Sequence, residues 1–141
     1  MNVKLYFLSA ISALGLASSA FAADTKVGFI YVGPINDGGW TQIHHENALV
    51  MKEYFGDKID MVYQENVAEG ADSERVMTQM ALTGADLIFT TSYGFMDPTI
   101  NVAQKFPDVK FEHATGFKRS DNVSTYSARF YEGRAIPVSY T

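Results

Sequence analysis

The chain has 141 residues, with 11 Lys+Arg against 16 Asp+Glu for a formal charge of −5, and 47% of it is hydrophobic. That length suggests one domain, on a scale of roughly 100–200 residues per domain. Its 10 Phe and 8 Tyr exclude a disordered chain, 4 Pro exclude a collagen-like fibre, and the acidic balance leaves no basic footprint for nucleic acid. With 0 Cys there is no disulfide framework, thiolate metal site, catalytic cysteine or acylated N-terminal cysteine.

Residues 1–22, MNVKLYFLSAISALGLASSAFA, have the pattern of an export signal. Lys4 supplies the positive start, residues 5–16 the apolar stretch, and Ala20-Phe21-Ala22 the small-residue site, with cleavage expected before Ala23. The stretch is shorter than the ~20 apolar residues a spanning helix needs, so a membrane anchor is not expected. The expected mature protein is periplasmic and diffuses freely.

Beyond the leader, strand and helix patterns alternate. Residues 26–32 (KVGFIYV) form a near-continuous apolar run ending at Gly33-Pro34, the pattern of a strand buried on both faces. Over residues 40–55, apolar positions recur at helical spacing, and Gly56 stops the helix. Residues 59–63 (IDMVY) read as a second strand. Residues 72–82 place Val76, Met77, Met80 and Ala81 on one helical face and end at Gly84. Residues 86–91 (DLIFTT) give a third strand. Asp97-Pro98 resembles an N-cap followed by Pro at the first helical position, opening a helix to Phe106. Two short strands follow at 109–113 and 123–126. The alternation predicts an α/β fold, a doubly wound parallel sheet with right-handed crossovers.

In such a sheet, ligands bind outside the carboxyl ends of the strands near the topological switch point. Three loops qualify: residues 33–40, 66–70 and 92–97. The first holds Asn36, Asp37, Gly38, Gly39 and Trp40 in succession. Asn36 and Asp37 offer hydrogen bonds to sugar hydroxyls or ring nitrogens, and Trp40 offers a stacking face. The competing reading makes Asp37 a helix cap and Trp40 a core residue. The third loop holds Ser92, Tyr93 and Gly94 before Phe95, Met96 and Asp97, and there a capping role for Asp97 is favoured.

Other motifs point away from chemistry. Gly28, Gly33, Gly38 and Gly39 do not make a G-x-G-x-x-G fingerprint, so dinucleotide binding is not expected. His44 and His45 are adjacent on a helix, point about 100° apart, and cannot share a metal. They read as surface or packing residues. No G-x-S-x-G elbow is present. A small flavodoxin-like enzyme using Asp37 or His113 is the alternative class, disfavoured because no nucleophile-plus-base pair is visible.

KVGFIYVGPINDGGWT, ENVAEGADSERVMTQMALTGADLIFTTSYGFMDP, FPDVKFEHATG and ARFYEGR, in this order, closely resemble the basic-membrane-protein (Bmp/Med) family of ABC-importer substrate-binding proteins. The purine nucleoside receptors belong to that family. The resemblance implies a type I periplasmic-binding fold, two α/β lobes closing on ligand about a hinge, with no cofactor, no metal and no catalytic residue. It implies a purine nucleoside or base as ligand, with a sugar or other small polar solute as the alternative, and an ABC permease as partner. Asn36, Asp37, Gly38, Trp40, Ser92, Tyr93 and Gly94 would line the cleft.

After Arg134 the family continues through a helix and a second lobe, whereas this chain reads AIPVSYT, with a Pro that would break the helix. Residues 23–141 are therefore expected to be the first lobe only, a truncated copy prone to self-association.

Overall fold

A computed structural model describes residues 23–129. The expected leader at 1–22 and most of the ARFYEGR motif lie outside the described residues. The first apolar run forms β1 (Thr25–Ile30), whose last four residues are buried because helices cover both its faces. There follow α1 (Trp40–Phe55), β2 (Ile59–Gln64), α2 (Ala71–Leu82), β3 (Leu87–Thr90), α3 (Met96–Lys105), β4 (Lys110–Ala114) and β5 (Val123–Tyr126). The strands lie in the order β2-β1-β3-β4-β5, and every pairing is parallel.

Parallel strands need crossover connections, and these place the helices on both faces. On one face Val27, Phe29 and Tyr31 pack with Ala48 of α1, and Met51 closes the layer. On the other, Ile30, Ile88, Phe111 and Val123 meet Val76, Met77 and Met80 of α2 and Val102 of α3. The doubly wound α/β sheet is as expected. Lys52 ends α1 by donating to the Gly56 and Ile59 carbonyls at 2.8 and 2.6 Å, a cation on the negative end of the helix.

α1 and β5 have the expected bounds, and most other element ends shift by a residue or two. One start differs in kind. Asp97 does not cap α3. Phe95 is fully buried, and its N–H donates to the Ser92 carbonyl at 3.0 Å, which winds residues 93–95 into a 3₁₀ turn leading directly into α3. Asp97 consequently lies inside the first helical turn, exposed, where its carboxylate pairs with Lys118 at 2.5 Å.

A polar thread runs through the core behind that turn. Thr90 Oγ1 lies 2.7 Å from Nδ1 of His113 and 3.1 Å from Thr99 Oγ1. His113 is 1% exposed, its Nε2 has no partner among the described residues, and burial holds its pKa below the usual imidazole value.

Candidate functional site

The strand order reverses at β1, whose neighbours β2 and β3 leave it through helices on opposite faces. The carboxyl ends of β1 and β3 therefore flank the switch point, and all three expected loops gather at that edge. The loops are braced pairwise. Glu65, just before the second loop, accepts a hydrogen bond from the Ile35 N–H of the first at 2.8 Å. The Trp40 indole Nε1–H donates to the Thr91 carbonyl at 2.6 Å, joining the first to the third. Ser92 donates to Glu69 Oε1 at 2.5 Å, joining the third to the second.

Within the first loop, Asp37 binds the opening turn of α1. Its carboxylate accepts from the backbone N–H groups of Gly39, Thr41 and Gln42 at 2.8, 2.9 and 3.0 Å. These donors, Gln42 foremost, hold the carboxyl below its ordinary pKa. The capping reading of Asp37 is thus realised, while the residue stays exposed at the loop edge. The Gly38 N–H donates to Gln42 Oε1 at 3.1 Å. Asn36 is exposed, and its side chain has no hydrogen-bond partner among the described residues.

Trp40 is half-buried. Its ring meets His44 edge-on at a centroid distance of 4.6 Å, and burial lowers the His44 pKa. His45 turns the other way, into the core, packing on Tyr63 at 4.7 Å with Nδ1 3.4 Å from the Tyr31 hydroxyl. The two histidines diverge, as the 100° separation on a helix requires, and both pack against aromatic rings.

In the third loop Ser92 is buried, Tyr93 is 58% exposed, and Gly94 packs so closely on Glu69 that a Cβ there would overlap the carboxylate. The seven expected residues thus come to one sheet edge. Glu65, Glu69 and Thr91 were not singled out from sequence, although they hold the loops together. Surface carboxylates in a polar loop and a backbone carbonyl give no pattern to read. Thr115, at the exit of β4, adds backbone in an uncommon region, with φ 70° in a β-branched residue.

A separate groove of about 630 Å³ lies on the α1 face of the sheet, lined by Phe29, Ile43, Met51, Phe89 and Tyr126 among others. Of the seven expected residues only Trp40 reaches it. α1 is the one helix packed on that face among the described residues, so the groove is a bare stretch of sheet. Its lining suits apolar packing rather than a polar solute. Among the described residues no cluster of His, Cys, Asp or Glu could hold a metal, and no helix is long and apolar enough to cross a membrane.

A parallel sheet with its candidate loops at the switch point is the arrangement of a solute-binding lobe, and solved structures agree. The chain superposes on an ABC transporter solute-binding protein from Conexibacter woesei with TM-score 0.65 and 28% identity, over 73% of this chain and 35% of that one. Residues 24–135 match the Bmp family, described as ABC transporter substrate-binding protein PnrA-like, and the chain belongs to that family. Its members are binding components of importers rather than enzymes, which removes the flavodoxin-like enzyme alternative. The chain is 53% identical over 130 residues to a purine-binding protein of Brucella abortus (strain 2308), covering 92% of this chain and 37% of the relative. It is 40% identical over 108 residues to a Haloferax volcanii protein named for glucose binding in an ABC transporter, covering 77% of this chain and 27% of the relative. The chain thus spans between a quarter and two fifths of the length of these relatives.

Proposed function

We propose that residues 23–129 form one wall of the solute cleft of an ABC-importer substrate-binding protein, and that the solute is a purine nucleoside or nucleobase. The observation that carries this reading is the 53% identity to a purine-binding relative, joined to the loop edge at the switch point. Trp40 and Tyr93 supply aromatic faces for a purine ring, and Asn36 supplies a side-chain amide with both donor and acceptor capacity. Asp37 and Gly38 shape the loop, and Ser92 and Gly94 line the opposite side. The protein works outside the cytoplasmic membrane, reached through the leader at residues 1–22, and hands its solute to a permease.

A one-walled site holds ligand against open water, whereas enclosed pockets cover about 70–90% of a ligand's surface. Residues 23–129 by themselves are therefore expected to bind nucleosides weakly. Calorimetry with a panel of nucleosides, nucleobases and glucose, paired with light scattering, tests the reading. Weak binding restricted to purines supports it. Binding of glucose alone favours the second reading, a sugar receptor, which the Haloferax relative motivates. Submicromolar nucleoside binding by a monodisperse monomer would show that no opposing wall is needed.

A further inference from the structure

The Glu69 side chain touches two of the seven candidate residues. Its Oε1 accepts the Ser92 hydroxyl proton at 2.5 Å, and its carboxylate lies where a Cβ on Gly94 would be. The backbone around it is fixed on both sides: Val67 is 2% exposed, and the Ala68 carbonyl accepts from the Ser73 N–H at 3.1 Å in the opening turn of α2. Its second oxygen, Oε2, has no hydrogen-bond partner among the described residues, and the residue is exposed.

Donor counting gives the edge a definite polarity. A serine hydroxyl has one proton to donate, and here it is committed to Glu69. Toward a solute, Ser92 therefore offers lone pairs alone, and Glu69 Oε2 offers lone pairs and negative charge. Asp37, a few residues from Trp40, is a further carboxylate on the same edge, and Lys118 is already paired with Asp97. Among the described residues, the three loops at 33–40, 66–70 and 92–97 carry no Lys or Arg to pair with an anion.

We propose that Glu69 is a specificity-determining residue of this site: Oε2 accepts a hydrogen bond from a solute lying over the Ser92–Gly94 turn. The site then takes uncharged solutes that present donors, such as a ribose diol or an exocyclic amine, and rejects their phosphorylated forms. This rests on the purine reading above.

The test is a titration of the full chain with adenosine and with adenosine 5′-monophosphate, followed by amide and indole NMR shifts of Trp40 and residues 92–94. The wild type is expected to bind adenosine about tenfold or more tightly than the monophosphate, since charge-assisted hydrogen bonds are about twice as strong as neutral ones and repulsion adds to the difference. Glu69→Gln keeps an acceptor for Ser92 but removes the charge, and should shrink the ratio to about threefold or less. Gly94→Ala, whose Cβ displaces the carboxylate while leaving Glu69 in the chain, should do the same. A ratio unchanged in both variants, with adenosine still shifting the Trp40 and 92–94 signals, overturns the role of Glu69 and leaves the purine reading intact. Absence of any adenosine shift in the wild type removes the purine reading, and this proposal with it.

Discussion

The Trp40 indole N–H reaches across the switch point to the Thr91 carbonyl, 2.6 Å away, and so ties the first turn of α1 to the end of β3. This contact joins the two sequence readings of Trp40. The nitrogen edge is built into the scaffold, and the half-buried ring remains at the margin of the site.

The two halves of that role separate by mutation. Trp40→Phe keeps an aromatic ring and loses the hydrogen bond, at an expected cost of about 0.5–1.5 kcal/mol in stability, read from urea unfolding. Trp40→Ala also removes the ring, and should weaken purine nucleoside binding by roughly threefold to tenfold, as stacking of about 0.5–1.5 kcal/mol requires. A variant that lowers the melting temperature and leaves nucleoside affinity intact makes Trp40 a scaffold residue only.

Acid should fray α1 from its N-terminus. The Asp37 carboxyl is held below its ordinary value of 3.8 by the Gln42, Thr41 and Gly39 N–H groups. A carboxylate whose folded pKa is depressed contributes stability that is complete above the unfolded value and lost as pH falls through the folded one. Hydrogen-exchange protection factors of the amides of residues 39–42 should therefore fall below pH 3.8 in the wild type. In Asp37→Ala they should be low at neutral pH as well.

His113 gives a second dependence in a different window. Burial lowers its folded pKa below the unfolded value of 6.5, so its neutral form is the one the fold favours. Stability is complete above 6.5 and falls as pH drops from there toward the folded pKa, by at most about 1.4 kcal/mol per pH unit for one proton. His44, also lowered by burial, contributes in the same direction. Urea midpoints measured between pH 7.5 and 5 should fall in the wild type, and fall less steeply in both His44→Gln and His113→Gln. His113→Ala should cost about 2–4 kcal/mol at neutral pH through the cavity and the lost Thr90 contact.

The processing expectation is direct to check. N-terminal sequencing of exported protein should begin at Ala23, after Ala20-Phe21-Ala22. Recovery of exported protein that retains Met1 contradicts it.

The sheet was legible because its strands are apolar runs and its helices carry one-sided apolar spacing. Ile30, Ile88 and Phe111 lie inside those runs and are buried in the core. The switch-point rule then located the loops without any side-chain detail. What could not be read is how the loops touch. Nothing in the spacing of Ile35 and Glu65, or of Glu69 and Ser92, announces a contact, because each depends on the three-dimensional approach of loops 23 or 30 residues apart. Asp97 departs from the expected cap for a related reason. Asp-Pro is a sound local start signal, but burial of Phe95 won, pulling the chain into a helical turn earlier than the cap motif asks.

The place of β1 inside the sheet, second from one edge, bears on how the chain acquires its structure. The strand made first has no partner until β2 arrives, since residue 25 pairs with residue 59. Its other flank stays open until residue 87 is available to residue 27. Among the described residues no two neighbouring strands are joined by a hairpin, so each ladder must await a crossover, and loop-closure entropy is paid before pairing returns anything. Folding is consequently late and non-local, leaving an extended interval in which the chain is loose enough to be threaded, held by a chaperone, or lost to a protease.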